Sequence, residues 1–255
     1  MRHFWLLTNF VSREIRSRYL GSVTGLLWAL IQPLALLAIY AFVFSTIFQI
    51  RFPELEGHRF LSFLAVALWP WQMLSDGIQR GMASIQSNAG MIQKVAFPRE
   101  ILVYANVISV WIVHLAGYGA VLLVLAFIGE ALTPGGFFLA LLSLLSLFLI
   151  TTALALVLAA LQVFLRDIEH VIGPLLMIVF YATPILYPVS LVPANLQWAY
   201  QLNPIAYLVI RLRDALLHSG QLAFGDAWLL LGAALALWAA FAFFRRLAAH
   251  FEDFL

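Results

Sequence analysis

Apolar residues gather in long blocks along this chain, and the polar residues fall between them. Several blocks reach about eighteen residues or more, enough for a helix to cross a hydrocarbon core of about 30 Å. They predict six spans, at residues 25–48, 60–81, 101–128, 137–165, 171–187 and 227–244. Pro33 predicts a kink in the first span. The fifth run is barely long enough and holds Pro174 and Pro184. The pattern reads as an all-α integral membrane protein, one transmembrane domain over residues 1–255.

The breaks between blocks carry structure of their own. Near the start, Phe4, Leu7, Val11 and Ile15 form one stripe, and Asn9, Arg13 and Arg16 lie opposite. That pattern predicts an amphipathic interface helix within residues 1–22, lying along the lipid headgroups. A plain positively charged anchor is an equal reading. In residues 84–97, Ile85, Ala89, Ile92 and Ala96 fall on one helical face, with Gln86, Gln93 and Lys94 mostly off it. Pro98 ends that helix and opens the next, placing Glu100 in a first turn, where negative charge suits the dipole. Such a short cytoplasmic helix is either an ordinary loop or a shape on which another protein pushes. Residues 188–226 are too polar to cross and too apolar for a plain outer loop. Two amphipathic pieces, 191–202 and 205–217, split by Asn203-Pro204, predict a re-entrant outer hairpin within residues 190–217.

Composition narrows the class. A chain 64% hydrophobic and 10% charged is not a water-soluble domain. Its net charge of +2, with no basic run, gives no footprint for nucleic acid. Without cysteine there is no thiol nucleophile, disulfide or Cys-type zinc site. The opening residues lack the apolar length of a cleavable signal peptide. Arg2, Arg13, Arg16, Arg18, Arg80, Lys94, Arg99, Arg166, Arg245 and Arg246 all fall on one side of the six-span layout; Arg51, Arg59, Arg211 and Arg213 fall on the other. That asymmetry places both termini in the cytoplasm.

Candidate chemistry is sparse. No Gly-x-x-x-x-Gly-Lys-Ser/Thr occurs, so the chain offers no phosphate-cradling loop. ATP and Mg, if used, belong to a partner, and no catalytic or nucleotide-binding residue is expected here. The six histidines are scattered singly and His-Glu-x-x-His is missing, so no metal centre is expected. A membrane enzyme acting on polyprenyl-linked sugars, the alternative function, would need a carboxylate cluster near an interface, and none is found; Asp167 and Glu169 alone have the chemistry of a glycosyltransferase's metal-and-sugar-phosphate pair. A helix cap and a water-facing side chain is the plainer reading. Only His114 lies well inside a span, with Asp76 near a cytoplasmic end, which disfavours an ion-coupled carrier.

Specific phrases then add to this picture. Asn88-Ala89-Gly90-Met91-Ile92-Gln93-Lys94-Val95, followed by Phe97-Pro98-Arg99-Glu100-Ile101-Leu102, resembles the coupling segment of polysaccharide-exporting type-2 ABC permeases, the family that moves O-antigen, teichoic acid and related glycans. Arg18-Tyr19-Leu20-Gly21-Ser22, Leu68-Trp69-Pro70-Trp71 and the stretch 164–188 resemble the same family, so the likeness covers nearly the whole chain. It departs at Val103, where a proline is expected.

The resemblance implies a homodimer with two ATPase subunits in a bacterial inner membrane, exporting a lipid-linked polysaccharide such as O-antigen. It places Ser84, Asn88, Met91, Ile92, Lys94, Phe97, Arg99 and Glu100 at the ATPase interface. The first and fifth spans would line a channel, with Trp28, Tyr40, Phe44, Phe180, Tyr181 and Tyr187 as its aromatic wall. Aromatic rings suit the flat apolar faces of sugars, and they serve equally as core or interfacial belt residues. Arg166 and Asp167 would stand at the substrate entrance, where Arg166 is either a diphosphate fork or a charge anchor. Trp198, Asn203 and Pro204 would belong to an outer gate, with Arg211 and Asp214 nearby as an i, i+3 surface pair. The segment from Phe244 to Phe251 looks closer to the O-antigen and teichoic-acid branch than to capsule permeases.

Overall fold

The computed structural model describes residues 2–19, 25–47, 60–95, 97–130 and 132–254. Ten helices follow in order: α1 (Arg2–Tyr19), α2 (Gly25–Phe42), α3 (Phe60–Ala83), α4 (Ala89–Ile92), α5 (Glu100–Phe127), α6 (Phe137–Phe164), α7 (Ile168–Tyr181), α8 (Gln197–Leu202), α9 (Pro204–Leu217) and α10 (Phe224–Ala248). A π-helical turn, Val43–Ile47, prolongs α2. No strand occurs among the described residues.

Helix α3 is the central post, touching α2, α5, α6, α7 and α9. Seventeen of its 24 residues are buried, from Phe60 to Met82. Two glycines let α6 approach closely. A Cβ on Gly77 would stand 2.6 Å from Thr151 Cγ2, and one on Gly81 would stand 2.6 Å from Ala155 Cβ. At the other extreme, α10 packs along α6 and buries only Asp226, Ala233, Ala240 and Phe244. From Phe224 to Phe243 its exposed side chains are apolar, Trp228, Leu235 and Trp238 among them, as a helix against lipid requires, and Arg245 and Arg246 follow in its last turn.

Among the described residues, α5, α6 and α10 are long and apolar enough to cross a membrane, and 31–47 and α7 are shorter apolar helices. Helix α3 is long enough but carries Gln72, Asp76, Gln79 and Arg80. Protein rather than lipid surrounds most of it, so burial does not demand an all-apolar surface.

Helices α5 and α6 begin and end within one residue of the expected runs 101–128 and 137–165. Glu100 stands in the first turn of α5, and Val103 is fully buried within it. Three segments differ from expectation. The helix expected over 84–97 shrinks to a 3-10 turn, Gln86–Asn88, and the single turn of α4. Asn88 turns its amide back to the Ser84 carbonyl at 2.8 Å, and Gly90 follows, so neither favours a longer helix. The fifth apolar run is helical only over Ile168–Tyr181, not 171–187. Pro184 cannot donate to the ladder, and its ring would crowd the carbonyl four residues back. In the hairpin, Pro193 limits the first piece to 3-10 turns and the short α8. The expected outer loop around Arg51 and Arg59 lies outside the described residues.

Candidate functional site

Helices α2, α3, α5 and α7 line an open cavity of about 710 Å³. That size falls within the range of about 300–1,000 Å³ usual for ligand sites. Its two ends differ in chemistry. Tyr40, Trp71, Phe180 and Tyr181 gather at one end. Phe180 stacks on Tyr40 with centroids 6.3 Å apart, meets Trp71 at 5.5 Å, and meets Tyr181 edge-on at 5.2 Å. Toward the C-terminal end of α3 the lining becomes polar, with Gln72, Ser75, Asp76, Gln79 and Arg80 facing Gln32 and His114. Those α3 positions recur at i, i+3, i+4, i+7 and i+8, so helical geometry puts them on one face. Gln79 Nε2 donates to Ser75 Oγ at 3.1 Å, and His114 Nε2 lies 3.1 Å from Asp76 Oδ2. Buried Trp69 fixes the helix carrying His114 by donating from Nε1 to the His114 carbonyl at 2.9 Å.

Between α3 and α5 the chain makes an elbow that two distant segments hold. From α1, Arg13 donates through Nη2 to Asn88 Oδ1 at 2.9 Å, and Phe10 packs on Phe97 with centroids 5.8 Å apart. From the C-terminal end, the Ala248 carbonyl and the Glu252 carboxylate both accept from Arg99. Phe251 is fully buried there against Phe164 and Phe244, and the Arg99 guanidinium stands 5.9 Å from its ring. Ile85 and Ile92 point into the core. Ser87, Gly90, Gln93, Lys94 and Val95 form the exposed ridge.

The α8–α9 hairpin is pinned at several points. Asn203 caps α9, its Oδ1 accepting from Ile205 and Ala206 at 3.0 and 3.3 Å, with Pro204 in the first turn. Its amide also reaches Thr183 Oγ1 at 3.1 Å, beyond the end of α7. Arg211 clamps Asp226, Nε to Oδ1 at 2.8 Å and Nη2 to Oδ2 at 2.7 Å, and meets Asp214 at 3.3 Å. Hydrogen bonding to Asp226 raises the guanidinium's proton affinity, against the opposing effect of burial. Arg213 is buried and donates to the carbonyls of Phe63, Pro184 and Ile185 at 3.2, 2.6 and 2.7 Å.

A family model described as "ABC-2 type transporter" matches residues 6–217, from α1 through α9. The chain belongs to that family. An O-antigen export system permease protein of Myxococcus xanthus is 29% identical over 255 residues, covering 97% of this chain and 94% of the relative. A protein of the same name from Klebsiella pneumoniae is 27% identical over 84% of this chain and 81% of its own length. A polysialic acid transport protein of Escherichia coli is 24% identical over 80% of this chain and 78% of its own. The resemblance in residues 88–102 and 164–188 to polysaccharide-export permeases is thus borne out. This ABC-2 chain is a multi-pass membrane protein.

The structure brings only part of the expected aromatic wall together. Tyr40, Phe180 and Tyr181 line the cavity. Phe44 stands one step aside, packed on Phe60 at 5.6 Å. Tyr187 faces the hairpin instead, donating to the Tyr181 carbonyl at 2.6 Å and meeting the Tyr200 hydroxyl at 2.9 Å. The Trp28 side chain lies outside the described residues. At the elbow, Asn88, Met91, Phe97 and Glu100 are half-buried and Lys94 is exposed. Ser84 and Ile92, by contrast, are buried, Ser84 donating to the Gly81 carbonyl at 2.6 Å, so neither offers a docking surface in this conformation. Arg99 spends its donors within the chain. Arg166 and Asp167 are exposed at the turn into α7; Asp167 holds the N-cap position without a side-chain bond to the helix. Trp198 is exposed on α8. Sequence reasoning missed Trp71, Gln72, Ser75 and Gln79, although their one-turn spacing in an apolar block was a readable signal. Nor did it show that carbonyl groups enclose Arg213.

Proposed function

We propose that this chain is the membrane-spanning subunit of an ATP-driven polysaccharide exporter. Two copies and two separate ATPase subunits carry a lipid-linked glycan, O-antigen-like in class, from the cytoplasm across a bacterial inner membrane. The observation that carries the reading is the cavity: a ladder of hydrogen-bonding groups leads to a cluster of aromatic faces, the two surfaces a sugar chain presents. Its α2 and α7 walls leave apolar faces unpaired, with Ile39, Phe42, Val171 and Ile178 each more than half exposed. A second copy apposed there turns a half-groove into a channel by a two-fold axis.

Six crossings are then α2 with its π-helical turn, α3, α5, α6, α7 and α10, with both termini cytoplasmic. Helix α7 is about 21 Å long, so it needs the turns after Tyr181 to complete its crossing. The hairpin α8–α9 returns as an outer gate. The ATPase, carrying ATP and Mg, closes on the exposed ridge of the elbow, and the motion biases a two-state groove. Arg166 and Asp167 stand at the cytoplasmic mouth, where a diphosphate would meet the guanidinium.

The test is reconstitution of the chain in proteoliposomes with and without its ATPase, measuring ATP-dependent appearance of a fluorescent lipid-linked oligosaccharide on the far leaflet. Transfer requires both proteins. Transfer by the chain alone, or hydrolysis of the lipid-linked sugar by it, would sink the reading.

A further inference from the structure

The cavity holds an arrangement that goes beyond a general glycan path. Asp76 is 43% exposed at its side chain and faces the open space, whereas His114 beside it is 9% exposed. An ionised carboxylate only accepts, so the ring donates from Nε2 to Oδ2 across the 3.1 Å contact. Among the described residues, Asp76 Oδ1 has no hydrogen-bond partner. His114 Nδ1 is buried and likewise unpartnered among them, so the ring's hydrogen bonding is directed wholly at Asp76. One carboxylate oxygen is therefore held and the other is presented to whatever enters. Arg80, the cavity's other charged residue, lies one turn further along α3, about 6 Å away along the axis. Gln72, Ser75 and Gln79 share Asp76's face of α3 with Arg80, and Trp71 stands one residue behind.

Resting on the export reading above, we propose that Asp76, positioned by His114, is a selectivity point for the sugar chain: it favours uncharged sugar residues over carboxylated ones, which present an anion at every residue where the lipid diphosphate presents its charge once. Sugar hydroxyls are donors, and a free carboxylate oxygen beside amide side chains accepts them while aromatic faces take the apolar side of the ring. A carboxylated sugar at the same depth brings like charge against Asp76. Repulsion of the wrong ligand is as effective a source of specificity as attraction of the right one.

The test uses the reconstituted permease–ATPase complex and two fluorescent polyprenyl-diphosphate tetrasaccharides, one of neutral hexose and one of N-acetylneuraminic acid. The wild-type complex transfers the neutral glycan faster, by about tenfold or more. Asp76→Asn narrows that preference to about threefold or less, Asp76→Glu keeps it, and Gln79→Glu, which adds a carboxylate on the same face, widens it. His114→Leu, which frees the carboxylate to rotate, slows neutral transfer more than acidic transfer. A change in the ratio between two glycans is a readout that a merely structural role would not move. Equal wild-type rates, or an unchanged preference in Asp76→Asn, overturns the proposal. The wild-type comparison and Gln79→Glu decide it even where Asp76→Asn fails to insert. A complex that transfers neither glycan contradicts export itself, whereas one that transfers both alike overturns only the selectivity point.

Discussion

Arg213 in α9 donates to the Pro184 carbonyl at 2.6 Å, just past the point where α7 has ended. Its Nη2 takes the Ile185 carbonyl at 2.7 Å, and its Nε takes the Phe63 carbonyl at 3.2 Å. The guanidinium also stands 3.4 Å over the Phe63 ring. A helix end leaves carbonyl groups without partners, and a buried carbonyl left so is costly. Here one planar cation serves two carbonyls of the broken segment and one of α3, so α7, α9 and the central post meet at a single side chain.

Arg213→Met keeps the length and removes every donor, leaving the Pro184 and Ile185 carbonyls buried without this partner. The expected loss is roughly 2–4 kcal/mol in unfolding free energy. Arg213→Lys, a point charge without the fork, recovers only part of it. Denaturant titration of the purified protein in mild detergent measures both, and equal stability of Arg213→Met and wild type would contradict the pinning role.

The C-terminal clasp separates packing from charge. Phe251→Ala removes a fully buried ring from Phe164 and Phe244 and is expected to cost about 3–5 kcal/mol. Glu252 is 64% exposed at its side chain, so Glu252→Ala costs about 1 kcal/mol or less even though Arg99 loses a partner. The same titration ranks them; a larger loss for Glu252→Ala than for Phe251→Ala would reverse the argument.

Asn203 joins two elements with one side chain, capping α9 and reaching Thr183. Asn203→Ala loses both and is expected to cost about 1–2 kcal/mol, while Asn203→Asp keeps the cap and loses only the amide bond. Hydrogen exchange at Ile205 and Ala206 distinguishes them: faster in the alanine variant, near wild type in the aspartate variant.

Long apolar blocks were legible because lipid-length helices need little else: α5 and α6 fall within a residue of the runs read from hydropathy. The breaks were legible in position but not in form. A helical face through Ile85, Ala89 and Ile92 did mark the buried side of the elbow, yet the Asn88 amide and Gly90 cut the helix to one turn. For the candidate site, Tyr40, Phe180 and Tyr181 were read from α2 and α7, whereas the contribution of α3 was not. Helix α3 is enclosed by other helices, so its polar stripe reflects a cavity that only tertiary packing creates. The burial of Arg213 was hidden for the same reason, since nothing local to α9 announces the carbonyls of Pro184 and Ile185.

The exposed ridge of the elbow gives the sharpest test of coupling. A Cβ added at Gly90 meets nothing within 4 Å, so this chain tolerates a larger residue there on steric grounds. Gly90→Trp is therefore expected to insert and fold as wild type does while its added bulk blocks any protein that seats on Ser87, Gln93 and Lys94. Lys94→Glu places the wrong charge on the same ridge without adding bulk, and rim charges act mainly on encounter and orientation. The expected order is loss of ATPase co-purification in Gly90→Trp, and about a tenfold fall in export with the subunits still associated in Lys94→Glu. Co-purification and transfer measured on the same preparations separate docking from coupling. Normal export by Gly90→Trp would mean that the ATPase seats elsewhere, because no contact within this chain makes room for the indole by hiding it.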